Sequence, residues 1–335
     1  MKKILLIATG GTIASRHTGD GLSPQIQDRE LLSYVPEAET LCHIDVQGPF
    51  SLDSTNVRRE HWLEMARIVE EHYDDYDGFV ICHGTDTMAY TAAALSYLIQ
   101  NNKKPVVITG AQRPIDLSIT DARANLLDSI RFACDDRAHG VTIVFGGSAI
   151  AGTRAKKERT KSFNAFSSIN FPAIAVIQDR GIVFYIDDKE LVSEPVRFSH
   201  EMDDNIFLYK LIPGSRGQVL DALFEEYDAV IIESFGVGGI PSYGDDHFRQ
   251  AIERYIAAGK LVIMATQVTH EGSDMSVYRV GQLVKNAYRL PESYDMTLES
   301  TIAKTMWILG QTKDPDEFRD LFYRTVNHDM LFSPQ

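Results

Sequence analysis

Two short polar segments in this 335-residue chain hold the residue types that acyl chemistry needs. Thr9-Gly10-Gly11-Thr12 follows the apolar run Lys3–Ala8, and His83-Gly84-Thr85-Asp86 follows Phe79–Cys82. An apolar run that stops in glycine, hydroxyl and carboxylate is how an open α/β sheet presents ligand loops at its strand ends. A threonine hydroxyl is a poor nucleophile at neutral pH. It needs a base or a hydrogen-bonded relay, and donors for a developing oxyanion. Gly10-Gly11-Thr12 supplies a hydroxyl and closely approachable backbone N–H groups. Thr85 and Asp86 with a lysine would form a hydroxyl–amine–carboxylate relay, provided that desolvation or charge prepares the lysine to act as base. Such parts suit acyl transfer to threonine followed by hydrolysis. Gly84 permits close approach of main chain to a ligand, and Thr85 or Asp86 is placed to cap the following helix.

The elements that must position these loops read as alternating strands and helices. Asp28–Val35 reads as a short helix and Leu41–Gln47 as a strand. A helix carrying Trp62, Met65, Ala66 and Val69 at i, i+3, i+4 and i+7 follows the polar loop Ser51–Asn56. Taken alone, Ser54 and Thr55 there read as turn or capping residues. Helix Thr91–Ile99, strand Pro105–Thr109, helix Asp121–Cys134 and strand Val141–Phe145 come next, the alternation that parallel strands with crossovers produce. Ile174–Ile177 and Ile182–Ile186 read as an antiparallel hairpin. Before them, the charge run Arg154–Lys161 reads as a solvated face, with one lysine able to reach the site if the hairpin folds back over the sheet. Ser15–Pro24, small and polar, reads as a mobile loop beside the first elbow. The expected fold class is α/β, with two open-sheet α/β domains, the larger N-terminal one mostly parallel with a β-hairpin insertion. Residues 1–190 form the catalytic domain, 191–205 a linker, and 206–335 a second α/β domain. In the last, strands fall at Ile206–Ile212, Ala229–Glu233 and Leu261–Ala265. Its helices fall near Gln218–Glu226, Asp246–Ala258, Ser276–Val284, Thr297–Leu309 and Asp314–Val326.

Composition excludes several function classes. A formal net charge of −14 without a basic tail argues against nucleic acid as partner. Cys42, Cys82 and Cys134 are far apart in the chain, odd in number and without zinc spacing, which fits a reducing compartment. No metal or cofactor motif is present, and neither a dinucleotide fingerprint, a P-loop nor a G-x-S-x-G elbow occurs. Met1-Lys2-Lys3 with Ile4–Ala8 is too short an apolar run for a signal peptide, and no stretch reaches membrane-span length. The expected location is cytoplasmic. His83 at a strand end reads as a hydrogen-bonded structural residue rather than a general base.

Ile7-Ala8-Thr9-Gly10-Gly11-Thr12-Ile13-Ala14 and His83-Gly84-Thr85-Asp86-Thr87-Met88 resemble the two signature motifs of bacterial-type L-asparaginases. Asp53-Ser54-Thr55, Thr109–Pro114 and Ser162–Phe166 stand in the family's order, so the resemblance spans Met1 to about Gln311. It is closest to the cytoplasmic, type I branch. The resemblance implies Thr12 as the nucleophile and Thr85, Lys157 and Asp86 as the relay, Lys157 being chosen by its distance from Gly152. It implies Ser54 and Asp86 as holders of the substrate's α-carboxylate and α-amino group, with Asp53 and Thr55 in the same pocket and Ala111 offering main chain near the leaving amide. The implied reaction gives aspartate and ammonia from L-asparagine without a cofactor, in a homodimer or homotetramer. Some type I members also carry an allosteric asparagine site, which the resemblance leaves open for this chain. Two departures stand out. Leu22 occupies the neighbourhood of the family's lid tyrosine, and Thr55 stands where periplasmic members have glutamine. A glutaminase-asparaginase, or a hydrolase of another small amide, is the near alternative. An archaeal amidotransferase subunit shares the motifs but needs an extra N-terminal domain. A non-catalytic asparagine or aspartate sensor is the alternative of another class.

Overall fold

The apolar runs of the N-terminal half become neighbouring strands of one sheet in the computed structural model. The structure describes residues 1–18, 21–24, 29–179, 181–241, 246–277 and 289–332. Within the unit Met1–His200, an eight-stranded sheet runs from edge to edge. Its order is Gly181–Phe184, Ala175–Gln178, Ser148–Ala151, Gly140–Phe145, Pro105–Thr109, Gly78–Cys82, Lys2–Ala8 and Cys42–Gln47. The last five pair in parallel and the first three are antiparallel, the expected mostly parallel sheet with a hairpin addition. Gly78–Cys82 and Pro105–Thr109 are buried at every residue. That is why they read as continuous apolar runs without alternation. Helix Arg59–Glu71 buries Trp62, Met65, Ala66 and Val69, the face its spacing predicted. Helix Met88–Leu98 is buried along nearly its whole surface, which its run of alanines permits.

Register places the loops. Ala8 pairs with Cys82, and Cys82 pairs with Thr109. The three strands therefore end level, and the segments beginning at Thr9, His83 and Gly110 leave the sheet at one edge.

Several expectations are revised. Ser15–Thr18 pairs antiparallel with Gly21–Pro24, so a two-stranded ribbon stands where a plain loop was expected. A ladder needs only main chain, and the small polar residues give no apolar alternation to announce it. The side chain of Leu22 and all of Asp28 lie outside the described residues. The helix expected at Asp28–Val35 is described over Glu30–Ser33. Part of the 191–205 stretch is stitched to the first unit: Arg197–Phe198 pairs with Ile99–Gln100, and the Ser199 N–H donates to the Leu98 carbonyl at 2.9 Å. A two-residue strand is too short to show a period. The run at Arg154 is not a solvated face throughout. Arg154 is fully buried, its guanidinium 5.6 Å from the Phe171 ring centre. Cys42 and Cys134, distant in sequence, meet in space. The interaction between their thiols, with burial, holds the Cys42 thiol above its ordinary range. The same interaction draws Cys134 below its ordinary range, against the opposing effect of burial.

The unit Glu201–Gln335 is built on a parallel sheet of Ile206–Lys210, Ala229–Ser234 and Leu261–Thr266. Helix His247–Ala257 packs Phe248, Ala251, Ile252 and Tyr255 into its core. Of the helix expected at Ser276–Val284, only a short turn at Met275–Val277 is described, and residues 278–284 lie outside the described residues. On helix Leu298–Leu309, Lys304 is fully buried and donates to Asp329 Oδ2 at 2.6 Å and to the Arg324 carbonyl at 2.8 Å. Burial pulls the Lys304 pKa down, against the opposing pull of Asp329.

A buried charge that loses its partner costs more than the intact pair contributes. Asp329→Ala is therefore expected to destabilise this unit by about 3–5 kcal/mol, while Asp329→Leu combined with Lys304→Met recovers most of that loss. Denaturant unfolding of the single and double variants measures both.

Candidate active site

The floor of the site is main chain. Thr9 donates to the Cys82 carbonyl through its N–H at 3.0 Å and its hydroxyl at 2.7 Å, tying the first elbow to the second. The Leu52 N–H donates to the Thr9 carbonyl, and the Gly11 N–H to the Leu52 carbonyl, both at 3.0 Å. This draws Asp53–Thr55 alongside Thr12. Gly11 has φ +78°, and a Cβ there would lie 2.4 Å from the Gly84 nitrogen. A Cβ on Gly84 would lie 2.6 Å from Ser54 Oγ. Both glycines are required by contact, and Gly11 by its backbone angle as well. The Thr87 hydroxyl donates to the Ser54 carbonyl at 2.8 Å. Thr87, not Thr85 or Asp86, is the N-cap residue of helix Met88–Leu98, and it accepts no capping bond.

Above this floor lies a cavity of about 130 Å³. Its walls are Thr12 and Ser15 from the first loop, Asp53 and Ser54 from the second, and Thr85 and Asp86 from the third, with Gly11 and Gly84 beneath. This is well below the roughly 300–1,000 Å³ of clefts that take drug-sized ligands, and it suits a small polar molecule. Thr55 and Ala111 do not line it. Thr55 turns back on Asp53, whose Oδ1 accepts the Thr55 N–H at 2.9 Å and its hydroxyl at 2.8 Å. Ala111 is buried in the core beneath the sheet edge.

Lys157 reaches the cavity from the hairpin Ala155–Lys157 and Phe166–Ser168. Successive strand residues face opposite sides, so Lys156 and Lys157 cannot share a target. Lys157 Nζ donates to Thr85 Oγ1 and to Asp86 Oδ1, each at 2.7 Å. The lysine is 15% exposed and the aspartate 62%, so the ammonium is sheltered while its counter-ion faces water. The structure thus brings Thr12, Ser54, Asp53, Thr85, Asp86 and Lys157 together. Among the described residues no group of three or more His, Cys, Asp or Glu is arranged to hold a metal ion. No described helix is long and apolar enough to cross a membrane.

His83 points away from this chemistry. It is fully buried, with Nδ1 2.7 Å from the Gly84 carbonyl and Nε2 3.0 Å from Thr91 Oγ1. The carbonyl can only accept, so Nδ1 carries the proton and Nε2 accepts from Thr91. Thr91 in turn accepts from the Trp62 indole at 2.9 Å. Burial holds the His83 pKa down to about 4, against a smaller opposite effect of the Gly84 carbonyl.

Gln112 acquired no role from the sequence, although it stands inside the Thr109–Pro114 segment. Its Oε1 accepts from the Thr85 hydroxyl at 3.3 Å. Asp121 holds that segment from below, accepting the N–H groups of Gln112 and Arg113. The usable signal was register: Gln112 follows a strand that ends level with the one before Thr85.

Comparison with known proteins places this geometry. The family model described as "Asparaginase, N-terminal" matches residues 3–190, and "Glutaminase/Asparaginase C-terminal domain" matches 205–322. The chain belongs to the asparaginase family. This enzyme family includes the L-asparaginase of Thermococcus kodakarensis, 37% identical over 97% of this chain and 98% of its own. A glutamyl-tRNA(Gln) amidotransferase subunit from Pyrococcus abyssi is 33% identical, covering 96% of this chain and 75% of its own length. Among solved structures, the thermostable L-asparaginase from Thermococcus kodakarensis superposes with a TM-score of 0.91 at 34% identity, covering 99% of this chain and all of its own. L-asparaginase I from Vibrio cholerae gives 0.87 at 27% identity, with 99% of each chain covered. The two-domain asparaginase α/β fold is therefore this chain's fold.

Two outcomes are expected of the site's framework. Gly84→Ala must push Ser54 aside, so it should abolish substrate turnover while the protein still unfolds cooperatively; kinetics and calorimetry on one preparation check this. In the pH range between about 4 and 6.5 the unfolded chain binds a proton at position 83 that the folded one refuses. Stability from this group is thus full above pH 6.5 and falls as the pH drops toward 4, by a total on the order of 3 kcal/mol. Denaturation midpoints of wild type and His83→Gln across this range should converge at low pH.

Proposed function

We propose that the chain hydrolyses L-asparagine to L-aspartate and ammonia. The observation that carries the reading is Lys157 Nζ at 2.7 Å from both Thr85 Oγ1 and Asp86 Oδ1, at the wall of a small cavity that Thr12 also lines. Thr12 Oγ attacks the side-chain amide carbon, and its proton passes through Thr85, Lys157 and Asp86 to the departing nitrogen. The C–N bond breaks, ammonia leaves, and the β-aspartyl group remains as an ester on Thr12. Water activated by the same relay cleaves that ester, releasing aspartate and restoring the hydroxyl. Asp86 and Ser54 hold the α-amino and α-carboxylate groups. Asp53 lies beside them, oriented by its bonds from Thr55.

Likeness to L-asparaginase I of Vibrio cholerae supports the type I branch, and three free cysteines agree with a cytoplasmic setting. A homodimer or homotetramer is part of the same reading. The match to the "Glutaminase/Asparaginase C-terminal domain" model favours a second one, ammonia release from glutamine. Ammonia release from L-asparagine and L-glutamine, measured in parallel, separates the two. Preference for glutamine would replace the first reading with the second, and no release from either would sink both.

Members of a relay act as a unit, so Thr12→Ala and Thr85→Ala should each lower turnover by ~10²-fold or more. Lys157→Met should do the same, and Lys156→Met should leave turnover near wild type. Near-wild-type activity in any of the first three would refute the assigned role.

A further inference from the structure

The side chain of Gln112 uses three of its four hydrogen-bonding directions. Oε1 accepts from the Thr85 hydroxyl at 3.3 Å, while Nε2 donates to the carbonyls of Arg159 and Ser162, both at 3.2 Å. Main-chain carbonyls only accept, so the nitrogen must face them and the oxygen must face Thr85. The main chain of Gln112 is fixed as well, its N–H shared between both oxygens of Asp121 at 2.9 and 3.1 Å. Asp121 is itself buried and also accepts from Arg113 N–H at 3.1 Å and from Asn125 Nδ2 at 3.3 Å. Gln112 is thereby a rigid strut between two things that Lys157 also links. One is the turn that follows Lys157 in its hairpin, and the other is the Thr85 hydroxyl.

We infer that Gln112 is a positioning residue that clamps the 158–164 turn behind Lys157 and sets the resting direction of the Thr85 proton. This rests on the reading of Thr85 and Lys157 as a relay. A hydroxyl has one proton. With Gln112 accepting it, the oxygen lone pairs of Thr85 face Lys157 Nζ, which donates at 2.7 Å. The resting direction of donation is then Lys157 to Thr85 to Gln112. Proton flow from Thr85 toward the lysine requires the hydroxyl to swing off Gln112. At 3.3 Å that bond is long for an O–H donor and is readily released. The amide side chain suits both duties: a carboxylate in its place could not donate to the two carbonyls, and an apolar side chain could neither donate nor accept.

Gln112→Leu and Gln112→Glu test this, with wild type as reference. Amide hydrogen exchange across residues 158–164, measured without substrate, should speed up ~10-fold or more in both variants, because both lose the two N–H donors. With L-asparagine, Gln112→Leu should lower kcat by ~10-fold with KM changed by less than about twofold. Gln112→Glu places a negative charge beside the relay and disfavours its proton release, so the rising limb of its kcat–pH profile should move up by roughly one pH unit. Unchanged exchange in both variants would overturn the clamp. Equal kcat losses with the wild-type pH limb in both would reduce Gln112 to a structural residue and overturn its influence on the Thr85 proton. If wild type releases no ammonia from L-asparagine, the functional reading has failed, and the exchange rates alone then decide whether the clamp exists.

Discussion

Between Gly11 and Gly84 there is no space for a carbon atom, since a Cβ on the first would lie 2.4 Å from the nitrogen of the second. The rest of the site follows from this contact. Two elbows can touch main chain to main chain only if the strands that deliver them are neighbours and end level, which the pairing of Ala8 with Cys82 provides. Once they touch, their hydroxyls are carried to the walls of a common cavity, and Leu52 is drawn in beside Gly10 with Asp53 and Ser54 behind it. A cation cannot come from so crowded a floor. It comes from a hairpin at the rim, whose buried Arg154 anchors one strand.

The two titratable systems near the second elbow illustrate how burial assigns work. His83 lies one residue from Gly84 and has no access to water, so it stays neutral and serves as a fixed bridge from Gly84 through Thr91 to Trp62. Asp86 lies at the open side and holds the sheltered Lys157 amine in an ion pair at 2.7 Å. Placing the imidazole inside and the Asp86 carboxylate outside lets one segment of four residues carry both a buried scaffold and an exposed polar edge.

The sequence was most legible where burial was complete. Phe79–Cys82 and Pro105–Thr109 announced themselves as apolar runs, and helix Arg59–Glu71 as a 3.6-residue period. Thr12, Thr85 and Asp86 were visible because hydroxyl and carboxylate stand where those runs stop. Lys157 was harder: charge alone could not choose between adjacent lysines, and the choice required a motif and then the alternation of a strand. Four things left no trace. The ribbon at Ser15–Pro24 and the pair Arg197–Phe198 are held by main chain, which composition does not report. Arg154 is buried within a run of charges whose neighbours are largely solvated. Gln112 works through two carbonyls some fifty residues away, a relation that no local spacing encodes.

A cavity whose floor is main chain has little there for selection to exchange. Replacing a wall residue changes reach or charge, but no single substitution deepens a floor made of Gly11 and Gly84, where any larger residue collides with the opposing loop. Variation in what the cavity accepts must therefore arise in its walls, at residues such as Ser15, Asp53 and Ser54. Lineages of this fold should then diverge in the walls of the cavity while its floor stays the same.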